Sequence, residues 1–174
     1  MPLLSSLTAA GTWHLLSWGT LLGSQFFQSF IGGPVAFRAL PRPMFAQLQA
    51  KIFPVYFSLQ SALPLVVLLT HPSTTKSYSE LLLGTEAAIP MLVTLVTSAI
   101  NLGVVGPKTT KIMRARKVQE TRDGRKYYEE PVSEEMRFLN KRFGVVHGVS
   151  SLLNLVGLLS TAAYGIVLGS KLGV

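Results

Sequence analysis

The chain has 174 residues, of which 48% are hydrophobic and only 14% charged, whereas about a quarter of an ordinary soluble domain is charged. No Lys, Arg, Asp or Glu occurs in residues 1–37, 52–75, 87–107 or 143–170, and each of these stretches meets the ~20 apolar residues that a helix needs to cross hydrocarbon. The net charge is +8, with most of the basic residues in one segment that carries no nucleic-acid module, and the absence of cysteine excludes disulfides, thiolate metal sites and a cysteine nucleophile.

These patterns predict an all-α, integral membrane, antiparallel four-helix bundle forming a single domain over residues 1–174. The first span covers about 12–37. No basic residue precedes Trp13, and the apolar run is too long for a signal h-region, so it reads as a retained helix. Pro41 and Pro43 are expected to stop it. The second span covers about 44–69, with Gln47, Gln49 and Lys51 in its first turns and Pro54 and Pro64 as bends that neighbouring helices tolerate. Residues 71–79 read as a loop. The third span covers about 80–105 and contains Pro90; Gly106-Pro107 marks its end or a kink.

Residues 108–142 form the long polar segment, with eleven Lys/Arg and six of the eight acids. Its first part is expected to be helical, Asp123-Gly124 to be a turn, and Pro131 to break any helix. Ser133 then reads as an N-cap, with Glu134 and Glu135 placed well on the helix dipole. The fourth helix is expected to start there and to run through a span at 143–169. In this topology fourteen Lys/Arg lie on one side and only Lys76 and Lys171 on the other. The bias puts the basic segment in the cytosol and both termini opposite.

Within lipid no hydrophobic force draws helices together, so close packing and interhelical hydrogen bonds must do so. Gly19 with Gly23, Gly144 with Gly148, and Gly165 with Gly169 are small-xxx-small pairs, suited to bundle packing or to association of the chain with itself. Polar residues fall in stripes: His14, Ser17, Leu21, Ser24 and Gln28; Thr94, Thr97 and Asn101; His147, Ser151 and Asn154. The second span adds Tyr56 and Gln60. A side-chain amide facing lipid is costly, so the stripes should face inward. Counting from the flanking charges places a candidate ligand-binding cluster of Gln28, Tyr56, Gln60, Asn101, His147, Ser151 and Asn154 in the cytosolic half. The alternative reading of the cluster is hydrogen bonding between helices.

No carboxylate, Lys or Arg falls at a span centre, which argues against an ion-coupled pump. His14 and His71 are expected on one side and His147 on the other, so no metal set is assigned. No cofactor motif, hydrolase elbow, P-loop or HExxH occurs, and no acid lies near His147 and Ser150 to orient a nucleophile, so no catalytic residue is assigned. Arg38, Arg42, Lys108, Lys111, Arg114, Arg116 and Lys117 cluster at the cytosolic edge as contacts for anionic lipid headgroups, or as topology determinants alone.

Three segments carry a resemblance: residues 32–57 (GGPVAFRALPRPMFAQLQAKIFPVYF), 101–113 (NLGVVGPKTTKIM) and 147–155 (HGVSSLLNL). Together they resemble the transmembrane protein 205-like family. The resemblance implies a small four-span eukaryotic membrane protein without an established biochemical mechanism, loosely tied to tolerance of metal-based drugs and to the secretory system. Residues 118–132 inherit nothing from it. The functional expectation is a non-enzymatic structural or accessory subunit packing in a membrane complex, with other membrane subunits or itself as partner. The alternative is a small-molecule or metal-handling transporter or binder. The endoplasmic reticulum, other endomembranes or the plasma membrane fit best, with a mitochondrial membrane as the other location.

Overall fold

In the computed structural model, residues 9–71 and 88–171 are described, and their regular structure is all helical. Helix α1 (Ala10–Phe26) passes through a π-helical turn π1 (Phe27–Gly32) into α2 (Gly33–Ala39). Helix α3 is Arg42–Leu69. Helix α4 (Ala88–Ile100) passes through a second turn π2 (Asn101–Val105) into α5 (Gly106–Asp123), and α6 is Glu134–Lys171. Three helical runs, Arg42–Leu69, Ala88–Asp123 and Glu134–Ser170, are long and apolar enough to cross a membrane. The described part of the remaining charge-free stretch is helical as well from Ala10 onward, but π1 interrupts the α-helix after 17 residues. The expected start of the third span near Glu80, and most of the loop before it, fall outside the described residues.

Prolines shape the helices differently from the expectation. Pro43 starts α3 instead of ending the preceding helix, because the first turn of a helix has no use for its missing N–H. The corner is Leu40-Pro41 alone, with Leu40 extended as a residue before proline must be. Gly106-Pro107 does not end the third helix either. Both π-turns close on the same pattern: the Gly33 N–H bonds to the Gln28 carbonyl and the Gly106 N–H to the Asn101 carbonyl, each ahead of a proline. A proline ring in a regular helix collides with the carbonyl four residues back; widening the turn by one residue relieves that collision. Glycine is needed at the closing position, since a β-carbon would stand 2.8 Å from the Gln28 carbonyl oxygen at residue 33 and 2.7 Å from that of Asn101 at residue 106.

Hydrogen bonds fix how the helices meet. His14 reaches Thr70, Gln25 reaches Gln60, and Gln28 reaches Gln49, so the start of α1 lies against the end of α3. His14 pairs with Tyr164, Trp18 with Thr161, and Asn154 with Ser29, so α1 and α6 meet with the same reversed sense. Thr94 lies against Gly157 and Thr161, and Asn101 against Ser150. The Ser98 hydroxyl on α4, shared with the Thr94 carbonyl of its own helix, reaches the Gln60 carbonyl of α3 at 3.0 Å. Pro64 leaves that carbonyl without its helical N–H, and the hydroxyl replaces it. The four helical runs thus enclose one another in the order α1, α3, α4, α6. An apolar knot of Leu21, Val67, Leu68, Ala88, Met91 and Tyr164 fills one end. Outward positions are apolar: Ile166 is 77% exposed, whereas His14 is 2% exposed. Such an inside-out distribution suits lipid rather than water.

At the other end, α5 and the first turns of α6 form a polar hairpin. Gly124, with φ of 63°, turns the chain out of α5 in the left-handed conformation that glycine tolerates. Ser133 caps α6 as expected: its Oγ accepts from the Met136 N–H at 3.2 Å and donates to Asp123 Oδ2 at 2.7 Å. Ile112, Met136 and Leu139 are buried between the two arms. α6 has 38 residues, about 57 Å at 1.5 Å per residue.

Candidate functional site

The buried polar side chains form three layers between the helices. At the end away from the hairpin, His14 Nε2 lies 2.5 Å from the Tyr164 hydroxyl, and the His14 and His71 rings meet edge to face with centroids 5.5 Å apart. The Thr70 hydroxyl donates to the Val66 carbonyl at 2.6 Å and so can only accept from His14 Nδ1, 3.4 Å away. That assignment makes Nδ1 the protonated nitrogen and leaves Nε2 to accept from Tyr164. The sequence stripe contained His14, but nothing in the spacing announced Tyr164, 150 residues away.

The middle layer is a pair of amides on a floor of hydroxyls. Gln25 Nε2 donates to Gln60 Oε1 at 2.6 Å. Thr94 donates within α4 to the Pro90 carbonyl and stands 3.2 Å from the Thr161 hydroxyl. Gly157 lets α6 close on this layer, since a β-carbon there would come within 3.0 Å of Thr97 Oγ1. Gln25 was missed by the sequence reading, which continued the α1 stripe through Ser24. In the structure Ser24 only donates to the Leu21 carbonyl, and Gln25 is 1% exposed. The rule that amides turn away from lipid, applied to Gln25 itself, would have found it.

The third layer joins both π-turns. Asn101, which opens π2, donates from Nδ2 to the Ser150 carbonyl at 3.1 Å. Tyr56 donates to Asn154 Oδ1 at 2.7 Å, and Asn154 Nδ2 donates to Ser29 of π1 at 2.8 Å. Gln28 donates to Gln49 Oε1 at 3.2 Å. Five members of the expected cluster are therefore drawn inward: Gln28, Tyr56, Gln60, Asn101 and Asn154. Phe57, Gln60, Ser98, Asn101, Asn154 and Gly157 line a shallow crevice with no room for a water molecule.

His147 and Ser151 stay outside this cluster. Both are exposed; the His147 ring stacks on Phe143 at 5.5 Å, and Ser151 donates to the His147 carbonyl of its own helix. The stripe of His147, Ser151 and Asn154 spans more than one helical face, and only its last member turns inward.

The basic residues divide too. Arg38, Lys108, Lys111, Arg114 and Lys117 are exposed. Lys117 pairs with Glu120 at 2.9 Å. Arg42 is exposed but engaged by the hairpin, with Nη1 3.4 Å from the Tyr127 hydroxyl and its guanidinium over Tyr128. Arg116 is not at the surface. It is buried, with its guanidinium 3.8 Å from the Tyr127 ring centroid and 4.5 Å from that of Phe143. Burial pushes its pKa down, opposed by Tyr127 and Glu120. Glu120 Oε1 accepts from the Tyr127 N–H at 3.1 Å. Burial pushes its pKa up, but Lys117, the Tyr127 N–H and Lys126 outweigh that, and the net direction is down.

Residues 16–118 match the model of a family described as a domain of unknown function, DUF4149. Over 161 residues the chain is 31% identical to "Xanthocillin biosynthesis cluster protein D" of Aspergillus fumigatus, covering 92% of this chain and 89% of that protein. No solved structure matches the chain.

Proposed function

The chain belongs to the family of the domain of unknown function DUF4149, and from that premise we propose that it is a four-span, antiparallel bundle embedded in a membrane and a non-catalytic accessory subunit of a membrane assembly. The observation that carries the proposal is the state of its glycines. Gly157 and Gly165 are closed over by Thr97 and Trp18, whereas a β-carbon at Gly19, Gly23, Gly144 or Gly148 would meet nothing within 4 Å. Two small-xxx-small faces are left unused by the bundle, and such faces let another helix approach closely. The internal polar groups support the same reading, because most of them hydrogen-bond to one another across helices.

The basic hairpin lies in the cytosol, and Arg38, Lys108, Lys111 and Arg114 contact anionic headgroups. Endomembranes or the plasma membrane are the proposed location, with the mitochondrial membrane second. The finer resemblance to transmembrane protein 205-like proteins is consistent with this architecture. A second reading, as a small-molecule or metal-handling binder, draws on the inward amide layer and on the relative whose name ties it to a biosynthesis cluster.

Two experiments test the proposal. The chain is free of cysteine, so cysteines at Gly11 and Arg125 can be labelled singly with an impermeant reagent in sealed vesicles. Labelling from opposite sides is expected; labelling from one side removes the topology. In mild detergent the native chain should migrate in an assembly larger than its own 18.9 kDa plus micelle. Gly19→Ile with Gly23→Ile, or Gly144→Ile with Gly148→Ile, should release it. A native chain that is already a free monomer overturns the accessory role.

A further inference from the structure

His147 faces out of the bundle. Arg142 is the last charge before the charge-free stretch 143–170 of α6, and His147 lies about 7.5 Å further along the helix at 1.5 Å per residue. Its ring stacks on Phe143 with centroids 5.5 Å apart, and among the described residues neither ring nitrogen has a hydrogen-bond partner. Histidines within a membrane almost always face a bundle interior or a water-filled cavity. An outward imidazole therefore calls for a partner from outside the bundle.

The surface around it has the shape for one. Gly144, His147, Gly148, Ser151 and Leu155 recur at steps of three and four residues, and all are exposed. Steps of that kind align residues on one helix face. A β-carbon at Gly144 or Gly148 would meet nothing within 4 Å, so a second helix can come close there. Ser151 Oγ donates to the His147 carbonyl at 3.0 Å. Its hydrogen is used, and its lone pairs remain to accept. The face thus holds one unused donor, the His147 ring N–H, and one unused acceptor, the Ser151 hydroxyl oxygen, a single turn apart.

A face that carries both halves of a hydrogen bond is matched by a second copy of itself. Copies of one chain share a single topology in a membrane, so two α6 helices meet in parallel about a two-fold axis along the membrane normal. Such an axis makes each contact occur twice, residue i on j and j on i. We propose that two copies of the chain pair through this face of α6, with Gly144 and Gly148 at the crossing and each His147 donating to Ser151 of the second copy. Close helix approach and hydrogen bonds between helices are the forces available within lipid. A helix of another protein would satisfy both groups only if it carried the same pair. The pairing rests on the membrane topology proposed above and names the partner of one open glycine face. Gly19 and Gly23 stay open for another subunit.

Disulfide trapping of the full chain in native membranes tests the pairing, because the bond forms only where two Cα atoms come within about 7 Å. The chain has no cysteine of its own. Gly148→Cys and Gly144→Cys, both at open positions, are oxidised singly with copper phenanthroline and read on non-reducing gels. Ile166→Cys, 77% exposed near the other end of α6, reports random collisions. The dimer band at Gly148→Cys or Gly144→Cys is expected to exceed that of Ile166→Cys at least several-fold. Adding His147→Ala or Ser151→Ala should weaken it several-fold, and His147→Asn, which keeps a donor, should restore most of it. Bands at both glycine positions no stronger than at Ile166→Cys overturn the proposal, as does a band of full strength with His147→Ala. An assembly larger than the monomer that yields no such disulfide removes the pairing and keeps the accessory role. A dimer without any other subunit keeps the pairing and removes that role.

Discussion

The indole of Trp18 occupies the place where a β-carbon on residue 165 would stand: that carbon would come within 2.4 Å of Trp18 Cζ2. The contact brings α1 against α6 and lets Trp18 Nε1 donate to the Thr161 carbonyl at 3.1 Å. Gly165→Ala should push the indole out and break that bond. Overfilling of this kind destabilises by ~1–3 kcal/mol. Thermal unfolding in detergent, followed by tryptophan fluorescence, should show a lower midpoint for Gly165→Ala. Gly169→Ala, at a position open to 4 Å, should match the native chain.

The closing glycines of the π-turns make a sharper comparison. At residue 106 a β-carbon would stand 2.7 Å from the Asn101 carbonyl oxygen, while at Gly103, inside the same turn, it meets nothing within 4 Å. Gly106→Ala should therefore destabilise by ~1–3 kcal/mol, and Gly103→Ala should be neutral or slightly stabilising through its higher helix propensity. Equal midpoints for the two variants in the same unfolding assay would rule out a steric need for glycine at 106.

Much of this fold was legible because membranes demand simple patterns. Long charge-free stretches announced helices, and Ser133 followed by two acids announced the start of α6. The misreadings have local causes. Pro43 looked like a stop, but the same lack of an N–H suits a first turn. Strict 3,4 spacing carried the α1 stripe to Ser24, whereas the buried residues are His14, Ser17, Leu21 and Gln25, after which π1 shifts the register. His147 was drawn inward by spacing alone although it sits within two turns of Arg142, where a ring can stay outside on Phe143. Arg116 was counted with the surface cations because its partner Tyr127 lies across a turn, and no helical period reports a contact of that kind.

That contact leads to a prediction of its own. The Arg116 guanidinium carbon lies 3.8 Å from the Tyr127 ring centroid and 4.5 Å from that of Phe143, close contacts that suit a weakly hydrated, delocalised guanidinium better than a compact ammonium. Arg116→Lys should lose most of the stacking, about 1–2 kcal/mol for a largely desolvated cation–π contact. The loss should appear as lower hydrogen-exchange protection in residues 112–140, with the amides of α1 and α3 unchanged. If Arg116→Lys protects as well as the native chain, then charge alone, and not ring stacking, holds the hairpin.

Glu120 gives the hairpin a dependence on pH. Its folded pKa lies below the ordinary value of 4.5, because Lys117, the Tyr127 N–H and Lys126 favour the carboxylate more than burial opposes it. For an acid with a depressed folded pKa, the unfolded state binds the proton first. The stabilisation is therefore complete above the unfolded value and disappears as pH falls through the folded one. Protection of the Tyr127 amide, which donates to Glu120 Oε1, should hold steady from about pH 7 down to the ordinary carboxylate range and then decline. Glu120→Gln should start from lower protection and lose the decline, since an amide cannot titrate. A native profile that stays flat into strong acid, or a Gln variant that keeps the same fall, would assign the pH dependence to other carboxylates of the hairpin.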